Sequence, residues 1–292
     1  MVKDACITNE GDHMRKSTKR IIKTIVFEML LITSSLLMFA PILLAIIMSI
    51  QPPEFVFSYP PRFFPRGLFL QNYLEAFKIV PFARMIFNSA LISIFITLGK
   101  LVTGSLSGYA YANFVFRGSK ISFYVLFATL FIPAEIVLIV PLFRIVSRFG
   151  WTNTYWAMTV PFLASATNTF LMQQHFKTIP KDFEDAAKID GATPMQYFTK
   201  ILLPLSRPII AGAAIINFTY AWNMYLWPMI VAMEDRMKTV QVAINMIMNA
   251  ESSNNWGIIM AATVVALLPT LILFFALQDL FVKSLVGSGV KG

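Results

Sequence analysis

Two ionisable residues interrupt otherwise apolar stretches of this 292-residue chain: Lys100 and Glu135. A charge near the middle of a bilayer is costly, so such residues pair, relay protons or meet a charged solute. If the flanking helices turn at about residues 113 to 121, both lie about 20 Å from the same surface at 1.5 Å per residue. Consecutive antiparallel helices would then bring them together as an ion pair. The alternative is that Lys100 lines a pathway and meets an anionic solute.

Tyr220, Asn223 and Trp227 recur at i, i+3 and i+7 and predict one polar, aromatic helix face. Such a face can stack on and hydrogen-bond a sugar or polyol, or serve a neighbouring helix. Hydrolytic chemistry has no comparable signal. Gly99-Lys100 lacks the upstream glycine and following hydroxyl of a phosphate-binding loop, and no Gly-x-Ser-x-Gly elbow occurs. His13 and His175 cannot form a metalloprotease pair, and Cys6 is the single cysteine, so a cysteine-clustered metal site is excluded. We expect no enzyme activity, no metal and no cofactor in this chain.

The elements that position these residues follow from composition. Apolar residues make up 57% of the chain and charged residues only 13%, against about 25% charge in soluble domains. The expected environment is a lipid bilayer. The net charge of +9 then fits cytoplasmic lysine and arginine rather than nucleic acid. Apolar stretches of about 20 residues predict an all-α integral membrane protein with six transmembrane helices, at 25–50, 85–113, 121–146, 155–176, 208–233 and 256–282.

Six positive residues precede the first helix and none follows until Arg62. With the N-terminus cytoplasmic, the inner segments carry fifteen lysines and arginines against eight on the outer ones. Both termini are expected inside, with tails at 1–24 and 284–292 flanking a transmembrane domain at 25–283. The first apolar stretch is too long for a signal peptide and has no clear cleavage site before Gln51. The outer segment 51–83, dense in proline and aromatics, reads as a membrane-hugging linker or a docking surface. Gly104-x-x-x-Gly108, continuing to Ala112, is a small-residue packing stripe with no chemical role.

The inner segment 177–207 is charged yet patterned. Pro180 to Asp190 holds good helix formers with acids in the first turns. Gly191 stands where a helix ends with positive φ. Thr193, Pro194 and Gln196 predict a capping box opening a second helix that ends at Leu203-Pro204. Met195, Phe198, Ile201 and Leu202 form its apolar stripe, to be buried by the chain's own helix ends or by the cleft of a separate subunit.

These residues resemble the hallmark loop of permease subunits in bacterial ATP-binding-cassette importers: Glu-Ala-Ala, three residues, Gly, nine residues, Ile-x-Leu-Pro. Asp185-Ala186-Ala187, Gly191 and Ile201-x-Leu203-Pro204 fit every spacing, with Asp185 where glutamate is usual. The resemblance runs over about residues 80–285. Ile96 to Lys100, Ala164 to Thr167 and Trp222 to Pro228 look like the second permease of glycerol-3-phosphate importers, and the chain is also similar to the second permease of maltose importers.

The resemblance implies a type I importer permease fold in the cell membrane, surrounded by lipid. It also implies a homologous second permease, two ATPase subunits that use ATP and magnesium, and an extracytoplasmic solute-binding protein. The loop becomes the coupling element, with Asp185, Ala186, Ala187, Asp190, Gly191, Ala192, Ile201, Leu203 and Pro204 contacting the ATPases. Its alanines would let the partner approach closely. Glycerol 3-phosphate, a sugar or a related polyol would be the solute. The rival reading is a self-sufficient secondary transporter or channel using Lys100 and Glu135; inverted internal repeats would favour it, and none is found.

Overall fold

The computed structural model describes residues 3–56, 67–132, 137–250 and 255–289, with side chains from 22 to 279 within those ranges. The described chain is helical throughout. In order, the helices are α1 (Lys3–Ser49), α2 (Gln71–Ile79), α3 (Phe82–Asn113), α4 (Ser119–Ala128), α5 (Ile139–Arg148), α6 (Tyr155–Thr159) and α7 (Ala166–Thr178). The loop helices α8 (Asp182–Ile189) and α9 (Pro194–Leu205) follow, then α10 (Arg207–Trp222), α11 (Leu226–Val231), α12 (Val240–Ala250) and α13 (Trp256–Gly289).

Three of these, at Ile22–Ser49, Phe82–Asn113 and Trp256–Asp279, are long and apolar enough to cross a bilayer. The crossings expected at 121–146, 155–176 and 208–233 are not single helices. α4 passes into a 3₁₀ turn at Thr129–Phe131, and Ile132 is extended, as the residue before Pro133 must tend to be. The α6 turn runs into a 3₁₀ turn at Val160–Phe162; α7 then starts afresh because the Ser165 hydroxyl caps the Asn168 N–H at 3.3 Å. α10 stops at Trp222, and α11 resumes at Leu226. Hydropathy alone does not register such breaks. Glu135 and the proline-rich part of the outer segment, residues 57–66, lie outside the described residues.

α3 is the central helix. Its small residues admit α7 to backbone contact: a Cβ at Gly104 would lie 2.7 Å from Asn168 Cβ, and one at Gly108 would lie 2.7 Å from Met172 Cβ. The small-residue stripe is therefore a packing seam, as expected. Asn217 on α10 donates to the Asn168 side-chain oxygen at 3.1 Å, and Ser107 bonds Thr169 at 2.7 Å, while the buried Asn168 side-chain nitrogen has no partner among the described residues.

The α3 core has two ends. Around Phe82 and Met85 it gathers Phe218, Trp222, Val240 and Ile258, with the Trp222 indole donating to the Ala266 carbonyl at 2.9 Å. At the same end Asn88 donates to the carbonyls of Arg236 and Lys238, each at 2.9 Å, and accepts from the Tyr155 hydroxyl at 2.7 Å. Asn153, at φ 59°, accepts from the amides of Met233 and Glu234. The segment before α12 is thus pinned by side chains from α3 and the α5–α6 turn. Around Tyr109, at the other end, gather Met172, Phe176, Tyr197, Phe198 and Leu202; this cluster carries the loop.

Candidate coupling loop and intramembrane polar site

α8 forms because its first turn holds Asp182, Glu184 and Asp185 against the positive end of the helix dipole, while Lys188 occupies the last turn. Lys188 meets Glu184 at 2.8 Å, an i, i+4 pair in the favourable order, and stands 3.8 Å from Asp185. The other Glu184 oxygen accepts from the Asn113 amide at 2.9 Å. Burial alone would raise the Glu184 carboxyl, but hydrogen bonds from Lys188 and Asn113, with the charges of Lys188 and Lys181, outweigh it and hold the pKa below its ordinary value.

The end of α8 is a double-bonded C-terminal cap. The Ala192 N–H bonds the Ala187 carbonyl at 2.9 Å, and the Gly191 N–H bonds that of Lys188 at 3.1 Å. Gly191 takes φ 75°. Two residues later the expected capping box is in place: the Thr193 hydroxyl accepts from the Gln196 N–H at 3.3 Å, and Gln196 Oε1 accepts from the Thr193 N–H at 2.8 Å.

α9 widens into a π turn at Phe198–Leu202 and continues through Leu203–Leu205, one residue beyond the expected stop at Leu203-Pro204. Pro204 has no N–H to donate, yet its fixed φ suits a helical turn. The chain then bends by 78° into α10, where the Ser206 hydroxyl donates back to the Leu202 carbonyl at 2.7 Å.

The chain's own helices bury the stripe at Phe198, Ile201 and Leu202 but leave Met195 outward. Phe198 and Leu202 are buried and Ile201 is packed against them, together with Leu203. The Tyr109 ring stacks on Phe198 with centroids 5.0 Å apart, and its hydroxyl donates to the Pro194 carbonyl at 3.1 Å. Ala187 and Ala192 also face this cluster, so of the three alanines expected to face a partner only Ala186 is exposed. The surface that remains outward is apolar at three points: Ile189 (86% exposed), Met195 (58%) and Phe183 (45%). Asp185, Asp190 and Gly191 lie among them, exposed.

In the apolar body, α3 presents Ser89, Ser93, Thr97 and Lys100 as one buried polar row. The Lys100 ammonium sits 3.9 Å from the centroid of the Tyr220 ring, a cation–π contact that ties α3 to α10. The helix break separates the three residues expected on one face. Tyr220 is on α10, and Asn223 caps its end, donating to the Thr219 carbonyl and accepting from Gln241, both at 2.9 Å. Trp227 is buried on α11 and donates to the Ala157 carbonyl at 3.0 Å. Among the described residues no group of His, Cys, Asp and Glu is arranged to hold a metal.

Tyr109, Asn113 and Tyr197 were not singled out by sequence. Their only signal was polar aromatic and amide character at a helix end and beside a cap.

The chain is 34% identical over 272 residues to the sn-glycerol-3-phosphate transport system permease protein UgpE of Salmonella typhi, covering 91% of this chain and 96% of that one. It is 38% identical over 209 residues to the protein of that name in Pectobacterium atrosepticum, covering 71% and 74%. Its fold matches a chain in the crystal structure of a bacterial ABC transporter involved in the import of the acidic polysaccharide alginate, with a TM-score of 0.75, 23% identity and coverage of 88% and 96%. The family model for the inner-membrane component of binding-protein-dependent transport systems matches residues 100–287, from Lys100 through the capped loop to α13. With a loop anchored on one side and apolar on the other, this chain belongs to that family and is a permease subunit of a binding-protein-dependent ABC importer.

Proposed function

We propose that this permease forms, with a homologous second permease, the inner-membrane pathway for glycerol 3-phosphate or a closely related polyol phosphate. The pathway is fed by an extracytoplasmic binding protein and driven by two separate ATPase subunits. ATP and magnesium are used by those subunits and not by this chain. The chain crosses the membrane six times, three of the crossings being broken helices, with both termini and the loop 177–207 in the cytoplasm. The tails at 1–24 and 284–292 are cytoplasmic, and residues 25–283 make up the transmembrane domain.

The observation that carries the reading is the two-sidedness of the loop. One side is locked to α3 and α7 through Tyr109, Asn113 and the buried Phe198. The other offers Phe183, Ile189 and Met195 around an open glycine turn. An apolar knob on a fixed base suits insertion into a groove of a motor subunit, whose movement would then reach α3 and α10. The solute assignment is supported by the names of the relatives at 34% and 38% identity.

The test uses a Cys6→Ser background carrying Thr193→Cys. The new thiol should crosslink to an ATPase subunit and resist impermeant reagents added to intact cells, while Ser58→Cys is labelled from outside. Cells should take up glycerol 3-phosphate only when all subunits are present. External labelling at position 193, or uptake without the ATPase, would overturn the reading.

A further inference from the structure

A cavity of about 860 Å³ opens between the inner cluster end of α3, the start of α4, the end of α7 and α8. Four lysines line it: Lys120, Lys177, Lys181 and Lys188. Two carboxylates face them, and Glu184 is already committed, with one oxygen on Lys188 and the other on Asn113. Asp185 stands 3.8 Å from Lys188. The ammonium groups of Lys120, Lys177 and Lys181 make no ion pair or hydrogen bond among the described residues. The cavity therefore carries surplus positive charge and ammonium donors. Its size falls in the range of roughly 300–1,000 Å³ typical of small-molecule pockets.

The rim identifies the kind of anion. Phe114, Val115 and Tyr124 line the cavity and are exposed, Val115 fully so. From there Ile121 and Val125 continue along one face of α4 at i, i+4 spacing, 73% and 62% exposed. A soluble phosphate would use the lysines and make no contact with this strip. An amphiphile with a negative head and acyl chains satisfies both at once. Basic pockets between membrane helices take acidic headgroups for this reason.

We infer that this cavity binds the headgroup of an acidic phospholipid, its phosphate held by Lys120, Lys177 and Lys181 and its chains lying along Ile121, Tyr124 and Val125. The lipid would bear on α8 beside the Asn113–Glu184 contact, which borders the same cavity, so the loop is braced by the bilayer as well as by the protein. The inference needs only the membrane placement of α3 and α4. It is independent of which solute is carried, so uptake is not the readout.

The experiment is native mass spectrometry of the assembled transporter, full-length chain included, after exchange into equal amounts of phosphatidylglycerol and phosphatidylcholine. Phosphatidylglycerol should be retained preferentially. Lys120→Gln combined with Lys177→Gln should lower that retention by roughly fivefold per lysine removed. The corresponding arginine substitutions should preserve it, and Lys78→Gln, beyond the opposite end of α3, should not alter it. Should the double variant fail to assemble, a photoactivatable phosphatidylglycerol must still crosslink the wild-type chain within residues 173–188. Equal retention of both lipids, an equal loss in the Lys78 control, or no crosslink in that segment would overturn the site. Displacement of the lipid by inorganic phosphate would assign the lysines to a soluble anion instead.

Discussion

Asn113, the last residue of α3, donates its side-chain amide across 2.9 Å to the Glu184 carboxylate in the first turn of α8. This bond joins the central membrane helix to the loop proposed to meet the ATPase subunits. It is charge-assisted and largely shielded, since only 21% of the Glu184 side chain is exposed. We predict that Asn113→Ala weakens loop docking by about 1.5 kcal/mol, the lower end for a hydrogen bond to a charged group. Hydrogen exchange in residues 182–191 should rise while the rest of the protein is unchanged; unaltered exchange there would show that the bond holds nothing.

The same carboxylate gives the loop a pH dependence. Its folded pKa lies below the ordinary value of 4.5, so its contribution is complete above that value and is lost as pH falls through the depressed one. Exchange in α8 should accelerate on acidification below the ordinary carboxylate range. Glu184→Gln should be as labile at neutral pH as the parent is in acid, with a flattened profile. A Gln variant that kept the parent's profile would place the titrating group elsewhere.

Gly191 separates conformational from steric cost. Its φ is 75°, and a Cβ there would meet nothing within 4 Å. Substitution should therefore act through the backbone, at about 1–2 kcal/mol for a residue that disfavours the left-handed region. We expect Gly191→Val to uncouple ATP hydrolysis from uptake at normal abundance, Gly191→Ala to do so partly, and Gly191→Asn to be mildest, since asparagine visits this region. Equal damage from all three in transport assays would mean that a partner's surface, not the turn, excludes the side chain.

Gly108 makes the opposite case. Its Cβ would lie 2.7 Å from Met172 Cβ and 2.9 Å from the Gln173 backbone nitrogen, neither a flexible tip. Gly108→Ala should part α3 from α7 and cost about 1–3 kcal/mol, the usual range for overpacking. Thermal unfolding in detergent would read this, with Gly67→Ala, where nothing stands within 4 Å, as the unaffected comparison.

The Tyr220 ring should matter through its contact with Lys100. The Lys100 ammonium is 3.9 Å from its centroid, so Tyr220→Phe should preserve that contact. Tyr220→Leu should lose about 0.5–2 kcal/mol in the same unfolding assay. Loss in both variants would point to the phenol oxygen as the partner that counts.

What could be read from sequence was local. The cap at Gly191, the box at Thr193 and Gln196 and the bare seam at Gly104 and Gly108 depend on residues a few positions apart, and each stands as its chemistry requires. The membrane itself was legible because composition leaves no other solvent. The breaks at Ile132, Ser165 and Asn223 were hidden, since an averaged apolar window is blind to backbone direction even where Pro133 and Ser165 mark the place. Which way the loop's stripe faces was hidden too: Tyr109 and Phe176 cover Phe198 from about 90 and 20 residues away, a distance no periodicity spans. Trp227 was grouped with Tyr220 by a count of seven that holds only in an unbroken helix.

The ties at the two ends of α3 have a mechanical consequence. Asn88 grips the carbonyls of Arg236 and Lys238, and Asn113 grips Glu184, on a single unbroken helix. At 1.5 Å per residue the two grips are held about 38 Å apart, and their spacing cannot change without rupturing the backbone ladder between them. α3 is a strut: a push on either anchored segment displaces the other by the same amount, with no chain of side-chain rearrangements to carry the signal.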